Sequence, residues 1–203
     1  MNARQQANRL LELQSLLVQF LEIERLVFVP DGKYQDRFEN DIEHSFNLAM
    51  LAWYLSQGYP NLDKNKIIQF ALIHDLVEVY AGDVMAIGRT KEEENHKKLA
   101  EKNAFAKLKK NWPDFQDMTN AIDSYEKQDS PVSIFVKSLD KLAPLLLQIL
   151  SKGKTWKFHN MSRQDIIIHK DEKTKNSPEI HAIWKELKKE LFKHDEYFNK
   201  GRL

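Results

Sequence analysis

The 203-residue sequence contains no cysteine. Disulfides, thiolate metal ligands and a cysteine nucleophile are excluded, so any metal must be held by nitrogen or oxygen. Glycine and proline number six each, about half of what average usage of roughly 7% and 5% would supply. So few turn-formers disfavour a many-stranded fold and point to helices. An excess of one charge is missing too. The 31 basic and 30 acidic side chains leave a formal net charge of +1, so no global field draws the chain to nucleic acid or to a membrane surface. No apolar run approaches the roughly 18 to 20 residues of a membrane span. Glu12, Glu22 and Glu24 interrupt the N-terminal apolar positions, unlike a signal-peptide core. A cytoplasmic location is expected.

What is present is helical periodicity. Leu10, Leu13, Leu17, Phe20 and Leu21 recur at three- and four-residue intervals and predict a helix over 4–27, broken at Pro30-Asp31-Gly32. A second helix is expected from Asp41, with His44, Leu48, Leu51 and Leu55 in its stripe and Gly58 at its end. A third begins after Asp63, aligns Ile67, Phe70, Ala71, His74 and Glu78, and stops at Gly82. Residues 91–110 read as a Lys/Glu-rich helix with a solvated face, and 114–127 as another helix. The most apolar stretch, 131–151, carries Val136, Leu139, Asp140, Ala143 and Leu147 on one face, with Pro144 expected to kink it. A Lys-rich connector then leads to Ser177-Pro178 and a terminal helix with Ile180, Ile183, Trp184, Leu187 and Leu191 inward. The prediction is an all-α protein of one domain over 1–203.

Four polar side chains stand on these apolar stripes: His44, His74, Asp75 and Asp140. Buried ionisable groups are costly unless paired or bound to metal. One divalent cation would account for all four, since two imidazoles suit a borderline transition metal and two carboxylates cancel its charge. Mn, Co, Fe, Ni and Zn all remain open. His74 and Asp75 lie about 100° apart around a helix, where both can reach one ion. Glu78 is one turn beyond His74 and can approach the ion's water without being a ligand. A second His-Asp dipeptide, His194-Asp195, sits in a charged segment near the terminus and reads as surface.

With these residues in view, the sequence resembles the HD-domain metal-dependent phosphohydrolases, whose signature H…HD…D corresponds to His44, His74-Asp75 and Asp140. The strings Arg37-Phe-Glu-Asn-Asp-Ile-Glu-His44, His74-Asp-Leu-Val-Glu78-Val-Tyr-Ala-Gly-Asp83 and Ser138-Leu-Asp140-Lys-Leu are similar to the branch containing the bacterial 5′-deoxynucleotidases. The resemblance implies a helical HD fold with a motif core over about 10–150 and a helical C-terminal extension over about 151–203. It implies His44, His74, Asp75 and Asp140 as ligands of one metal ion, and Glu78 and Asp83 as the catalytic acidic pair. Arg37 and Glu39 also fall at matching positions. Bimetallic relatives need extra histidines between the HD dipeptide and the last aspartate. Here the only candidate, His96, is flanked by charged residues and reads as surface.

One departure concerns the phosphate. The deoxynucleotidases carry an upstream Arg-Trp pair, whereas the corresponding stretch here is Leu26-Val-Phe-Val-Pro-Asp-Gly-Lys33. Replacement anchors are Arg25, Lys33, Arg37 and Lys141, with Arg37 favoured by position. The expected function is hydrolysis of a small phosphate ester, a 5′-(deoxy)nucleoside monophosphate, by a metal-activated water. The alternatives are a deoxynucleoside triphosphate hydrolase releasing tripolyphosphate and a non-catalytic helical binding module that keeps the metal. The expected partner is a small molecule, with no nucleic acid or membrane, and the N-terminal stripe offers a surface for a homodimer.

Overall fold

Helix starts in this chain are written as N-cap side chains. Asn2, Asn40, Thr90, Ser130 and Ser162 each accept a hydrogen bond from the amide three residues on, whose own side chain answers the cap amide. The computed structural model describes residues 1–30, 37–83 and 90–199. Its helices are α1 (Ala3–Leu21), α2 (Asp41–Ser56), α3 (Lys64–Ile73), α4 (Glu78–Ala81), α5 (Lys91–Asn111), α6 (Gln116–Lys127), α7 (Pro131–Leu150), α8 (Lys154–Phe158), α9 (Arg163–Thr174) and α10 (Pro178–Leu191). The fold is all-α apart from one small antiparallel ladder, β1 (Glu24–Phe28) with β2 (Phe38–Asn40).

Three expectations need correction. The first helix ends at Leu21 rather than 27, because residues 24–28 pair with β2, placing Phe28 opposite Phe38. These two rings lie 4.5 Å apart, and Phe158 closes on Phe28 at 5.2 Å. Cross-strand aromatic packing outweighs the local helical period. The third helix is not continuous to Gly82. The chain leaves α3 at His74, turns through Val77 and resumes as α4. Within the turn the amide of Leu76 bonds to the Ile73 carbonyl and that of Glu78 to the Asp75 carbonyl, a tighter wind than the α-helix. Gly82 closes α4 at a φ of +76°.

The Lys-rich connector is itself helical, forming α8 and α9. The buried positions of α9, Ile166, Ile167, Lys170 and Thr174, are spaced for a helix but diluted by charge in the sequence. α7, by contrast, runs through Pro144 as one element. Among the described residues, no helix is long and apolar enough to cross a membrane.

Packing resolves into two apolar clusters. One gathers Leu48, Phe70, Val136, Leu139, Ile166 and Trp184; the other gathers Leu16, Phe20, Leu76, Leu108, Trp112 and Ile122. The His74–Val77 turn lies on the seam. Phe70 and Ala71 before it belong to the first cluster, Leu76 and Val77 after it to the second, and Ile73 packs against both. The C-terminal helices contribute Trp156, Ile166, Ile180, Trp184 and Leu191 to the first cluster. The turn into α8 is locked there, since a Cβ at Gly153 would overlap the carbonyl of Tyr197.

Candidate metal centre

α2, the turn after α3, and α7 bring four side chains to one point. Each of His44, His74, Asp75 and Asp140 offers one ligand-type atom, and these atoms all lie within 4.8 Å of one another. His44 Nε2 is 3.0 Å from Asp140 Oδ1, and His74 Nε2 is 2.9 Å from Asp75 Oδ2 and 3.6 Å from Asp140 Oδ1. Three of the four residues are buried, and Asp75 is partly so. His74 caps the end of α3 and Asp75 stands in the tighter turn that follows, so both are presented where the helix ends.

The donor set suits a divalent cation. Among the described residues His74 Nε2 is buried without a hydrogen-bond partner, although Asp75 Oδ2 is 2.9 Å away. His74 Nδ1 donates to the Ala71 carbonyl at 2.9 Å, which presents its Nε2 to the centre, the usual outer support of a metal-bound imidazole; His44 turns Nε2 to Asp140, with Nδ1 3.5 Å from Glu39 Oε2. Burial opposes charge at both aspartates. Nevertheless, His74 and Arg25 hold Asp75 well below the ordinary carboxylate range, and Lys141, His44 and His74 do the same for Asp140. Burial also pulls down on His74, but Asp75 and Asp140 push it up to about 10. Two ionised carboxylates facing the His74 imidazole form a site whose proton a 2+ ion would displace.

A second acidic set, Asp41, Asp75 and Glu78, adjoins the first with atoms also within 4.8 Å. Fixed cations already face it. Arg25 on β1 lies 2.8 Å from Asp75 Oδ2, 3.2 Å from Asp41 Oδ1 and 3.5 Å from Glu39 Oε2. Glu78, at the start of α4, is buried and pairs with Lys97 Nζ at 2.8 Å, and Asp83 lies 4.0 Å from the same nitrogen. Burial, with Asp75 and Asp83 nearby, pushes the Glu78 carboxyl up to about 10 against the pull of Lys97. In the ion-free site this carboxyl therefore holds its proton at neutral pH, and a 2+ ion on the adjoining donors would favour its ionised form.

The predicted anchors separate. Lys141 Nζ is 2.7 Å from Asp140 Oδ2, beside the centre. Arg37 is half-exposed and clasps Glu43 through both terminal nitrogens, at 2.7 and 2.5 Å. Lys33 lies outside the described residues. His96 is exposed; His194 is half-buried, away from the centre, and pairs with Glu196 at 2.7 Å.

The centre opens into a cavity of about 740 Å³ whose lining includes Arg25, His74, Asp75, Glu78, Asp83 and Asp140. Two features of this cavity were not read from the sequence. Lys97 was assigned to a solvated face, though Glu94 and Glu101, at i−3 and i+4 from it, also line the cavity. The far wall comes from α8 and α9, including Thr155, Trp156 and Lys170. Lys170 donates to the Lys141 carbonyl, and burial followed by the Lys141 charge lowers its pKa to about 7.

The comparisons agree with this geometry. The HD domain family model matches residues 29–184. The human 5′-deoxynucleotidase HDDC2 is 26% identical over 142 residues, 69% of this chain and 67% of that protein. The Xenopus laevis 5′-deoxynucleotidase HDDC2 is 28% identical over 143 residues, 70% and 68% of the two chains. A solved structure, a predicted metal-dependent phosphohydrolase from Magnetospirillum magnetotacticum, is similar with a TM-score of 0.70 and 26% identity, covering 94% of this chain and 95% of that one.

Proposed function

The chain belongs to the HD domain family and is a metal-dependent phosphohydrolase; on that premise we propose that it hydrolyses 5′-(deoxy)nucleoside monophosphates at the His44, His74, Asp75 and Asp140 centre. One observation carries the reading: the four donor atoms converge within 4.8 Å, and His74, Asp75 and Asp140 among them line a cavity that Glu78 and Lys141 also line. A 5′-deoxynucleotidase name for the human and frog relatives supports the substrate class.

One divalent ion on those four residues supplies Lewis acidity and lowers the pKa of water near neutral pH. With the ion bound, an ionised Glu78 would take the proton of the attacking water, and Lys97 holds the carboxylate in place for that transfer. Water adds to phosphorus as the ester bond to the 5′ oxygen breaks, and the proton held on Glu78 returns through solvent to the departing alkoxide. Lys141 neutralises a phosphoryl oxygen. Arg25 is already committed to Asp41 and Asp75 and orients the ligand carboxylate. Asp83, next to Lys97, completes the acidic pair and meets the substrate's sugar. A cytoplasmic homodimer, formed through the exposed Leu10, Leu11 and Leu17 face of α1, completes the proposal.

The test is a metal-supplemented screen of nucleoside mono-, di- and triphosphates with phosphate, pyrophosphate and tripolyphosphate quantified separately. Phosphate released from monophosphates is the expected result. Tripolyphosphate from triphosphates would replace this reading with the triphosphohydrolase, and no turnover with any metal would leave the binding module.

A further inference from the structure

The cavity runs along α7 away from the metal centre. Asp140, Pro144 and Gln148 all line it, at i, i+4 and i+8 of one helix face. At 1.5 Å per residue, Gln148 lies about 12 Å along the axis from Asp140. A phosphate joined to a sugar and a base spans that interval; a lone phosphate does not.

Gln148 is 2% exposed, and its carboxamide is held in one orientation. Its Oε1 accepts the Thr155 amide at 2.9 Å and the Ser151 hydroxyl at 3.4 Å, whereas among the described residues Nε2 is buried with no partner. The oxygen must face these donors, so the amide group cannot flip to relieve the nitrogen. A buried amide donor left unpaired is an exception that a bound acceptor would remove. Its surroundings suit a flat, largely apolar ring. Trp156 is buried and stacked on Phe198 with ring centroids 5.2 Å apart, and Thr155 Oγ1 is fixed by the Phe28 amide at 2.8 Å. Leu26, Leu145 and Met161 supply apolar contact on the same cavity wall.

We propose that this end of the cavity is the nucleobase site and that Gln148 Nε2 donates to an acceptor on the base, a carbonyl oxygen or ring nitrogen. The inference rests on the nucleotide reading above, and it adds Gln148 as the residue that distinguishes a nucleotide from a base-free sugar phosphate. With Oε1 committed to Thr155, the site offers a donor only, so the base must turn an acceptor edge toward it.

The experiment compares kcat/KM for deoxynucleoside 5′-monophosphates with that for 2-deoxyribose 5-phosphate, in the metal-loaded wild type and in Gln148→Glu. The variant keeps an oxygen for the Thr155 amide and replaces the donor with an acceptor, and a thermal melt confirms that it folds. The expected result is a fall in the nucleotide to sugar-phosphate ratio of about tenfold or more. An unchanged ratio, with both substrates affected equally, overturns the proposal and leaves Gln148 a structural residue. If the wild type hydrolyses neither compound, the phosphohydrolase reading fails by itself. Calorimetric binding of deoxynucleoside 5′-monophosphates to the same two proteins then decides the role of Gln148, with equal affinities counting against it.

Discussion

Lys97 Nζ lies 2.8 Å from Glu78 Oε1, joining α5 to the first residue of α4 inside the cavity. Glu78→Gln, nearly isosteric but without basicity, is therefore expected to lose roughly 10²–10⁴-fold in kcat with its metal retained. Lys97→Met should lose roughly tenfold, because it removes only the group that holds the carboxylate. Steady-state kinetics paired with metal analysis check both. Loss of metal from Glu78→Gln would place that residue among the ligands.

Ion content should follow the four-residue centre. Elemental analysis of protein purified without chelator is expected to give about one transition-metal ion per chain, lost in His44→Ala, Asp75→Ala and Asp140→Ala and kept in His194→Ala. Chelation should also lower the melting temperature, since free ion at 100 times its Kd contributes about 2.7 kcal/mol to stability. Full occupancy in Asp140→Ala would dismantle the proposed ligand set.

The phosphate anchor can be located by two substitutions. Lys141→Ala, beside Asp140, is expected to raise KM for a monophosphate about tenfold or more, as loss of a charge-assisted contact does. Arg37→Ala should change it much less, because Arg37 is committed to Glu43 on α2. The reverse ranking of KM values would return the anchor to Arg37.

Lys170 gives a pH signature in stability. Burial and the neighbouring Lys141 lower its folded pKa to about 7, with Arg25 acting in the same sense and Asp140 opposing. Between pH 7 and about 10.5 the unfolded chain then holds more protons than the folded one, so this residue's contribution to stability rises with pH across that window. Below pH 7 the cost of the buried charge is present in full. In denaturant titrations at a series of pH values, wild type minus Lys170→Met should climb from pH 7 to 10. A flat difference would mean that the ammonium is solvated in the folded protein.

The sequence exposed the centre because its residues violate an apolar pattern. A histidine at 44, a histidine and aspartate at 74–75, and an aspartate at 140 interrupt stripes that are otherwise aliphatic, and the structure brings all four together. The turn that follows His74 was hidden, since residues 64–81 keep a helical period through it and only the backbone hydrogen bonds reveal the break. The ladder of β1 and β2 pairs Phe28 with Phe38, but the Phe158 ring that closes on Phe28 comes from far along the chain, outside any local window. Lys97 was obscured by composition, being one of many lysines on a charged helix. Gln148 stayed silent for a different reason: a glutamine on a helix face is unremarkable until its oxygen is seen to be occupied and its nitrogen is not.

The two ends of the cavity are made by different stretches of chain. The centre draws on residues 44–75 and 140, and the opposite wall on Thr155, Trp156 and Lys170 of α8 and α9. α7 touches both, and so does β1, through Arg25 at the centre and Leu26 on the wall. In evolutionary terms, this divides the protein into a part that any change would cripple and a part free to drift. Substitutions in α8 and α9 can reshape what fits against the wall without disturbing the ion's ligands, so a descendant lineage could acquire new substrates while inheriting the same chemistry intact.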